Sequence, residues 1–344
     1  MSVTYFLTYV FLCVLAIISP RVSRVRRAGL YFFGCAVLIF LICFRDISVG
    51  ADTENYCRNF EWFAGSSWKQ AFQIVTWEPG FVIVSKLIGY LSSDWRVFVI
   101  ITGLIALLPL FKFLWKHSGN PCAGLVIYFV MLFTMSEYLY RQWYAFLILL
   151  GTYRYIIERK PGRFLLVVMA ATLFHRTALI FLPVYFLYPV KPKKLLLIVC
   201  ICISAILYLF GGAIISLALK FARTSYELQY NGGESMLVFL WLCVLTLCFL
   251  DRKIIAKPWY RLQFWLLLIS ATLQPISMRL SLWSRIVIYF SPALMFLVPR
   301  FFEDTLLSKK KYGLSMLCEI GFFGLFSVLF YVRLAGRTFV LMPF

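Results

Sequence analysis

AGLYFFGCAVLIFLICF, residues 28–44, is an uncharged run nearly long enough to cross a lipid bilayer as one helix. RDISVGADTENYCRNFE, residues 45–61, follows it directly and carries six Arg, Asp and Glu side chains. Such an abrupt change from apolar to charged sequence is typical of the end of a membrane helix. It predicts a spanning segment that ends near residue 44 and a polar segment at the membrane surface.

The composition of the whole chain agrees with this interpretation. Of its 344 residues, 62% are hydrophobic and only 14% are charged, and the mean hydropathy is +0.88. A soluble protein carries about 25% charged residues to cover its surface. The apolar runs are continuous, whereas a β-barrel would show alternating segments of about ten residues. We therefore predict an all-α, polytopic membrane helix bundle.

Apolar runs suited to membrane helices recur along the whole chain. They lie at 3–19, 28–44, 95–115, 121–138, 141–158, 164–175, 177–190, 194–217, 236–250, 261–277, 284–299 and 312–332. These runs predict about 12 transmembrane helices. The segment 78–93 is short and contains Lys86, which favours a re-entrant or interfacial helix. Without an internal repeat or a linker, residues 1–344 are predicted to form a single transmembrane domain.

The net charge of +20 is explained by Lys and Arg in short loops, which mark the cytoplasmic side of a membrane protein. It does not indicate nucleic acid. The basic loops include 21–27, 191–194 and 251–261. Placing them inside puts both termini outside, together with outer loops at 45–77 and 218–235. Nine of the ten cysteines lie in apolar runs; Cys57 is expected in an exposed loop, and neither a disulfide nor a zinc site is predicted.

Polar residues that are rare in such a chain fall on the predicted outer side, at or near membrane level. They are Asp52, Glu54, Glu78, Glu137, Arg141, Gln142, His175, Arg176, Arg279 and Arg285. Ionisable groups in this position are costly unless they face a cavity, so they are candidate functional residues.

The arginines among them, Arg141, Arg176, Arg279 and Arg285, are suited to an anionic ligand. A guanidinium can clamp phosphate oxygens with two parallel hydrogen bonds and never loses its charge. Alternatively, these side chains are anchors that reach from helix ends to the interface. Because outer-side arginines run against the positive-inside bias, four of them together favour a phosphate-bearing ligand.

Carboxylates and a histidine accompany the arginines. Asp52 and Glu54 alternate in what is predicted to be an extended stretch, so both side chains could point the same way. Alternatively, they only shape a turn at Gly50. Glu78 precedes Pro79 and could act catalytically or merely favour a helix N-terminus. His175 lies between two apolar runs and is suited to acid–base work near neutral pH, or to a backbone hydrogen bond.

Aromatic and amide side chains in the same segments could contact a sugar. Tyr56, Gln142 and Tyr144 are the candidates for glycan binding, whereas tryptophans such as Trp77 are expected mostly in the interfacial belt. No ATP-binding loop or metal-binding motif is present in the sequence, so we predict neither a cofactor nor a metal.

Four short stretches, taken in order, resemble the EpsG-like family of bacterial polysaccharide polymerases. They are FRDISVGADTENY (44–56), WEPGF (77–81), RQWYA (141–145) and LFHRTALI (173–180). The similarity covers residues 40–190, and afterwards it rests on hydropathy and SRIVIYF (284–290). Arg176 departs from the family pattern, in which a small residue is expected after the histidine.

The resemblance implies a fold and an activity. The family is similar to the Wzy type of O-antigen and exopolysaccharide polymerase, with an architecture related to the C-type glycosyltransferase superfamily. These enzymes act at the periplasmic face of the bacterial inner membrane. They transfer a glycan from undecaprenyl pyrophosphate to a sugar hydroxyl of another lipid-linked repeat unit. The family also implies a chain-length regulator as a possible partner, and it implies that Asp52, Glu78, Arg141, His175 and Arg285 are the positions to test.

The chemistry of these residues fits such a transfer without a metal. Arginines can stabilise the leaving pyrophosphate, and a base can accept the proton of the attacking hydroxyl. From sequence, Asp52 or Glu54 ranks first as the base, then His175, then Glu78. A lipid-linked oligosaccharide flippase remains an alternative, although buried midplane charges and internal repeats would be expected of a transporter. A polytopic acyltransferase is a third possibility.

Overall fold

A computed structural model of the chain describes residues 3–74, 77–221, 230, 232–250, 256–280, 285–287, 289–303, 312–334 and 339–342. Helices dominate these residues. The β-pairing within them is one isolated antiparallel bridge between Arg45 and Leu341. The predicted all-α fold class is therefore confirmed.

The helices are numbered here in chain order. They are α1 (Val3–Ile18), α2 (Arg24–Cys43), α3 (Thr53–Gly65), α4 (Trp68–Ile74), α5 (Pro79–Gly89), α6 (Trp95–His117), α7 (Pro121–Met131), α8 (Phe133–Tyr138), α9 (Tyr140–Leu150), α10 (Thr152–Ile157), α11 (Pro161–Thr172), α12 (Leu182–Leu187), α13 (Lys194–Phe221), α14 (Glu234–Leu250), α15 (Pro258–Ser277), α16 (Ala293–Phe302) and α17 (Tyr312–Leu334). Two 3-10 helices, Ser19–Arg21 and Arg176–Phe181, precede α2 and α12.

Among the described residues, four helical segments are long and apolar enough to cross a membrane. They are Val3–Arg21, Arg24–Cys43, Trp95–His117 and Lys194–Leu217. Other apolar helices are shorter, because several predicted spans are interrupted: the run 121–138 divides into α7 and α8, and the run 141–158 divides into α9 and α10. The number of 12 spans therefore stays a prediction.

The segment 78–93 forms the short helix α5, and the polar stretch before it is also helical. With 11 residues, α5 is about 16 Å long, roughly half the hydrocarbon thickness. The predicted outer loop 45–77 contains α3 and α4 rather than irregular chain. Cys57, expected to be exposed, is buried in α3. Of the predicted loop 218–235, residues 222–229 and 231 lie outside the described residues, whereas 218–221 belong to α13 and 234–235 to α14.

The chain divides into two compact units. Unit 1 contains Met1–Ile148, Met169–Arg176 and Met295–Phe344, and unit 2 contains Leu149–Val168 and Thr177–Leu294. The assignment of residues 1–344 to a single transmembrane domain stays a prediction.

In unit 1, α1 packs on α7 and α17, α2 packs on α6, and α3 packs on α5. The rings of Tyr9 and Phe330 stack at 4.4 Å between centroids, and the Tyr9 hydroxyl donates to the Phe323 carbonyl at 2.6 Å. Gly34 allows the close packing of α2, because a Cβ there would lie 2.9 Å from Leu125. These contacts tie the C-terminal helix to the first one.

Unit 2 is organised around the long helix α13, which packs against α15, while α15 also packs against α14. Trp241 on α14 donates from its indole Nε1 to the Ser204 hydroxyl at 3.1 Å. Trp265 on α15 donates to the Val190 carbonyl at 3.1 Å. Within Lys194–Leu217 of α13, only 11% of the most apolar stretch is buried inside the protein. This is expected for a helix that faces lipid.

Arg45 fixes the chain where α2 ends and the polar stretch begins. Its side chain is fully buried. The guanidinium donates to the carbonyls of Ile42 and Glu137 and to the hydroxyl of Tyr140. One side chain thus joins the end of α2 to the α8–α9 connection, which carries several candidate site residues.

Replacing Arg45 should lower the free energy of unfolding far more than replacing an exposed arginine nearby. Arg45→Leu leaves buried acceptors without a donor, and we expect a loss of about 3 kcal/mol of unfolding free energy. Arg58→Leu is the matched control, since Arg58 is exposed and pairs with exposed Glu54; its effect should stay within about 0.5 kcal/mol. Denaturant titration in detergent measures both, and equal losses would contradict the anchoring role.

Candidate functional site

Glu78 lies at the N-terminal boundary of α5, where the sequence Glu-Pro-Gly sets the backbone. Pro79 occupies the first helical turn, which suits its fixed φ and its missing N–H. The Glu78 backbone is extended, and its side chain makes no capping hydrogen bond to the helix. Glu78 therefore does not act as a side-chain cap, and its carboxylate is free to serve other segments.

Gly80 brings a second segment against α5. Its N–H donates to the Leu173 carbonyl at 2.7 Å. A Cβ at this position would lie 2.7 Å from the same carbonyl oxygen and 3.0 Å from the Phe174 ring. Only glycine permits this approach, which places residues 173–176 directly beside Glu78.

The Glu78 carboxylate has three hydrogen-bond partners in unit 1. Its Oε2 accepts from Arg141 Nη1 at 2.8 Å, and its Oε1 lies 2.9 Å from His175 Nδ1. The same Oε1 accepts from the Arg176 backbone N–H at 3.3 Å. Three of the four stretches that carry the sequence resemblance therefore meet at one carboxylate.

Arg141 forms the next layer of the site. Its Nε donates to the Tyr56 hydroxyl at 3.3 Å, and its guanidinium lies over the Trp77 ring, 5.1 Å from the centroid. Tyr56 and Trp77 are themselves in ring contact at 5.1 Å. We refer to Glu78, Arg141, His175, Tyr56 and Trp77 together as the Glu78 cluster.

The hydrogen bonds of the cluster keep Glu78 ionised. Burial alone would raise its pKa, but the His175 hydrogen bond and the Arg141 charge lower the pKa of Glu78 to about 2. The Arg141 guanidinium keeps its charge, because arginine does not lose its proton in proteins. Both side chains are thus charged at neutral pH.

An ionised Glu78 also determines the tautomer of His175. Since the carboxylate can only accept, Nδ1 carries the proton and donates it. In the neutral imidazole this leaves Nε2 with its lone pair available. The His175 side chain is 21% exposed, compared with 8% for Glu78. The arrangement provides an oriented proton acceptor backed by a buried anion.

The polar stretch that follows α2 is not extended as predicted. Gly50 has a φ of 97° and forms the expected turn. Asp52 then occupies the N-cap position of α3, and Glu54 lies in the first helical turn. Glu54 is exposed and pairs with Arg58. It therefore does not form the predicted pair of carboxylates with Asp52. The extended conformation was predicted wrongly because helix α3 begins at Thr53.

Asp52 lies close enough to the Glu78 cluster to act on it electrostatically. Burial raises the pKa of Tyr56, Arg141 lowers it, and the charge of Asp52 raises it again. Asp52 itself is half-buried. Its backbone carbonyl also accepts from the Tyr56 N–H at 3.0 Å, so Asp52 borders the cluster through Tyr56.

The three predicted glycan contacts are all buried. Tyr56 supports Arg141, as described above, and Tyr144 donates to the Thr102 carbonyl at 3.0 Å. Gln142 is 2% exposed. Their assignment to a sugar stays a prediction.

The predicted pyrophosphate ligands fall in both units. The Arg176 guanidinium, in unit 1, is exposed. In unit 2, Arg279 donates from Nη2 to the Tyr208 carbonyl at 2.7 Å, and Arg285 is half-buried. The role of all four arginines at a pyrophosphate stays a prediction.

Trp77 is the member of the cluster that sequence analysis missed. It was expected in the interfacial belt, but it lies under the Arg141 guanidinium. Its position next to Glu78 in WEPGF was the available signal. Within the described part of the chain, no group of three or more His, Cys, Asp and Glu side chains could hold a metal ion.

The close approach at Gly80 gives a direct test of the site geometry. Gly80→Ala should force Leu173 away from α5 and lower the unfolding free energy by about 1–3 kcal/mol. Gly65→Ala is the control, because a Cβ there meets nothing within 4 Å. Thermal unfolding in detergent should show a drop for the first variant and little change for the second. A Gly80→Ala protein as stable as the control would overturn the packing described.

Comparison with known families supports the resemblance seen in the motifs. The family model described as the EpsG family matches residues 29–344. A search of curated proteins and a search of solved structures each give no match. The matched region covers all members of the Glu78 cluster and most of the chain, and on this basis the protein belongs to the EpsG family.

Proposed function

We propose that the protein is a polysaccharide polymerase whose active site is the Glu78 cluster. In this proposal it transfers a glycan from undecaprenyl pyrophosphate to the terminal sugar hydroxyl of another lipid-linked repeat unit. The observation that carries the proposal is the buried, ionised Glu78, which holds a histidine and an arginine from two other segments. Membership of the EpsG family and the apolar helices support a membrane protein of polysaccharide biosynthesis.

The reaction requires one bond to form and one to break. The acceptor hydroxyl oxygen attacks the anomeric carbon of the donor sugar, and the bond from that carbon to the pyrophosphate oxygen breaks. The hydroxyl proton passes to Nε2 of His175, which becomes an imidazolium. Glu78, 2.9 Å from Nδ1, stabilises that positive charge and holds the ring in orientation. We therefore rank His175 above the carboxylates as the base, with Glu78 as its positioning residue.

The departing undecaprenyl pyrophosphate develops negative charge. Arg141 directs Nη1 to Glu78 and Nε to Tyr56, which leaves Nη2 for an oxygen of the leaving group. The exposed guanidinium of Arg176 is adjacent in sequence to His175 and could supply a second donor. Fixed cations at the developing charge lower the barrier without needing a metal. Arg279 and Arg285 of unit 2 stay sequence-based candidates for pyrophosphate binding, and the family resemblance points to Arg285 alone of the two.

Asp52 is the competing candidate for the base. It is half-buried and acts electrostatically on Tyr56. A carboxylate in this place could instead bind an acceptor hydroxyl. Conservative substitutions at Asp52 and His175 separate these two roles.

The decisive experiment is the chain length of the surface polysaccharide in a deletion strain complemented with variants. His175→Gln, Glu78→Gln and Arg141→Gln should each slow polymerisation at least about 100-fold and leave single repeat units on the lipid. Glu54→Gln is the matched control, since this exposed carboxylate lies in α3 away from the hydrogen bonds of Glu78, and it should give a normal ladder.

Other gel patterns would contradict the proposal in recognisable ways. A normal ladder from His175→Gln, with a collapsed one from Asp52→Asn, would transfer the role of base to Asp52. Loss of all repeats, including single units, in the deletion strain would indicate a flippase. Protein levels must be matched by immunoblot so that misfolding is not read as lost activity.

The proposed orientation places the Glu78 cluster at the periplasmic face of the inner membrane. Buried Cys57 cannot report this by labelling, whereas exposed Glu61 in the same helix can be replaced. In intact cells, Glu61→Cys should react with an impermeant maleimide to a greater extent than the wild-type protein. Reaction only after cell lysis would place α3 on the cytoplasmic side and contradict the orientation.

A further inference from the structure

Unit 2 contains a cavity of about 920 Å³ at the start of α13. Its wall is built from the segment before α13, the first turns of α13 and α15, and the end of α14. The lining residues include Lys191, Lys193, Lys194, Arg261, Phe264 and Leu268. A cavity of this size matches those that hold small organic ligands.

The charged residues described in the cavity lining are all basic. Three lysines and one arginine line it, and the lining residues that the structure describes include no carboxylate. Lys194 begins α13, and α15 begins three residues before Arg261. Helix N-termini already carry partial positive charge, so cations gathered there repel the helix dipoles. An anion in the cavity would relieve this repulsion.

Arg261 is held in place but not satisfied. Its guanidinium lies over the Tyr188 ring, 4.5 Å from the centroid. Its Nε is buried and has no hydrogen-bond partner among the described residues. A buried donor without an acceptor is destabilising. Arg261 thus brings a guanidinium, fixed against Tyr188, to the lining of the cavity.

The remaining wall is apolar. Leu197 and Ile198 of α13 face Phe264 and Leu268 of α15 around the cavity. Ile198 is exposed, and it lies in a helical segment, Lys194–Leu217, that is long and apolar enough to cross a membrane. A ligand for this cavity needs an anionic head and an apolar body that can reach the lipid phase.

We propose that this cavity is a binding site for an anionic phospholipid. The lipid phosphate binds Lys193, Lys194 and the Arg261 guanidinium, and an acyl chain lies along Leu197 and Leu268. The basic segments 191–194 and 257–261 agree with this assignment, because Lys and Arg next to membrane helices attract anionic lipid. The inference is independent of the polymerase proposal, since it concerns a different set of residues and a non-reacting lipid.

Native mass spectrometry of the full-length protein tests the proposal. The protein is incubated in detergent with phosphatidylglycerol or with phosphatidylcholine of identical acyl chains. We expect the wild type to retain phosphatidylglycerol at least about 10-fold more than phosphatidylcholine. The Lys191→Gln, Lys193→Gln, Lys194→Gln triple variant and Arg261→Gln should each lose most of this preference.

A control variant removes the same charge elsewhere. Arg24, Arg26 and Arg163 are exposed basic residues outside the cavity lining, and their joint replacement by Gln should leave the preference unchanged. An equal loss in this control would reduce the effect to overall charge and overturn the proposal. Equal retention of both lipids by the wild type would also overturn it, because it would indicate an apolar groove without headgroup recognition.

Inorganic phosphate distinguishes a lipid from a soluble anion. If 10-fold molar excess of phosphate over phosphatidylglycerol displaces the lipid completely and gives the same thermal stabilisation alone, the ligand is a free phosphate and the lipid assignment fails. If the lipid stays bound, the acyl chain contributes as proposed. Thermal unfolding of the triple variant shows whether it is folded; its lysines are exposed, so its melting temperature in lipid-free detergent should match that of the wild type.

Discussion

The carboxylate of Glu78 is buried and ionised, and three of its hydrogen-bond partners come from other parts of the chain. Arg141 approaches from α9, and His175 and the Arg176 N–H approach from the end of α11. A buried charge that loses its partner is strongly destabilising, so the three segments must stay together. The buried Glu78 carboxylate therefore keeps the three segments of the site together.

The ends of three helices meet at Glu78, and the need of their backbone groups for hydrogen-bond partners explains why. Glu78 precedes α5, Arg141 lies in the first turn of α9, and His175 follows α11. Terminal N–H and C=O groups have no partner within their own helix, and lipid offers them none. Here they satisfy one another: the Gly80 N–H meets the Leu173 carbonyl, and the Arg176 N–H meets Glu78. Irregular backbone is thereby tolerated where polar side chains are required.

The long membrane helices and most residues of the site could be predicted from sequence. The breaks within helices and the pairing of distant segments could not, and each failure has a physical reason. Long apolar runs predicted α1, α2, α6 and α13 well, because hydropathy alone specifies a continuous membrane helix. It does not show where a run is interrupted, as between α7 and α8. Sequence points to Glu78, Arg141, His175 and Tyr56 as candidates, but it ranks Glu78 last as the base and leaves a role at a helix N-terminus open for it. Which segments meet depends on packing at Gly80 and on Arg45, and a single sequence does not reveal such pairings. The helix at 53–65 was missed because its charged, alternating residues also suit an extended stretch.

The central claim, that the Glu78 cluster carries out glycan transfer, is tested most directly with purified protein in lipid nanodiscs. The substrate is the native repeat unit on undecaprenyl pyrophosphate, with EDTA present, and mass spectrometry follows polymer and released undecaprenyl pyrophosphate. The account predicts one released lipid per new linkage for the wild type and none above background for Glu78→Gln, whose folding is verified by thermal unfolding. Polymer formed by Glu78→Gln at the wild-type rate would contradict it.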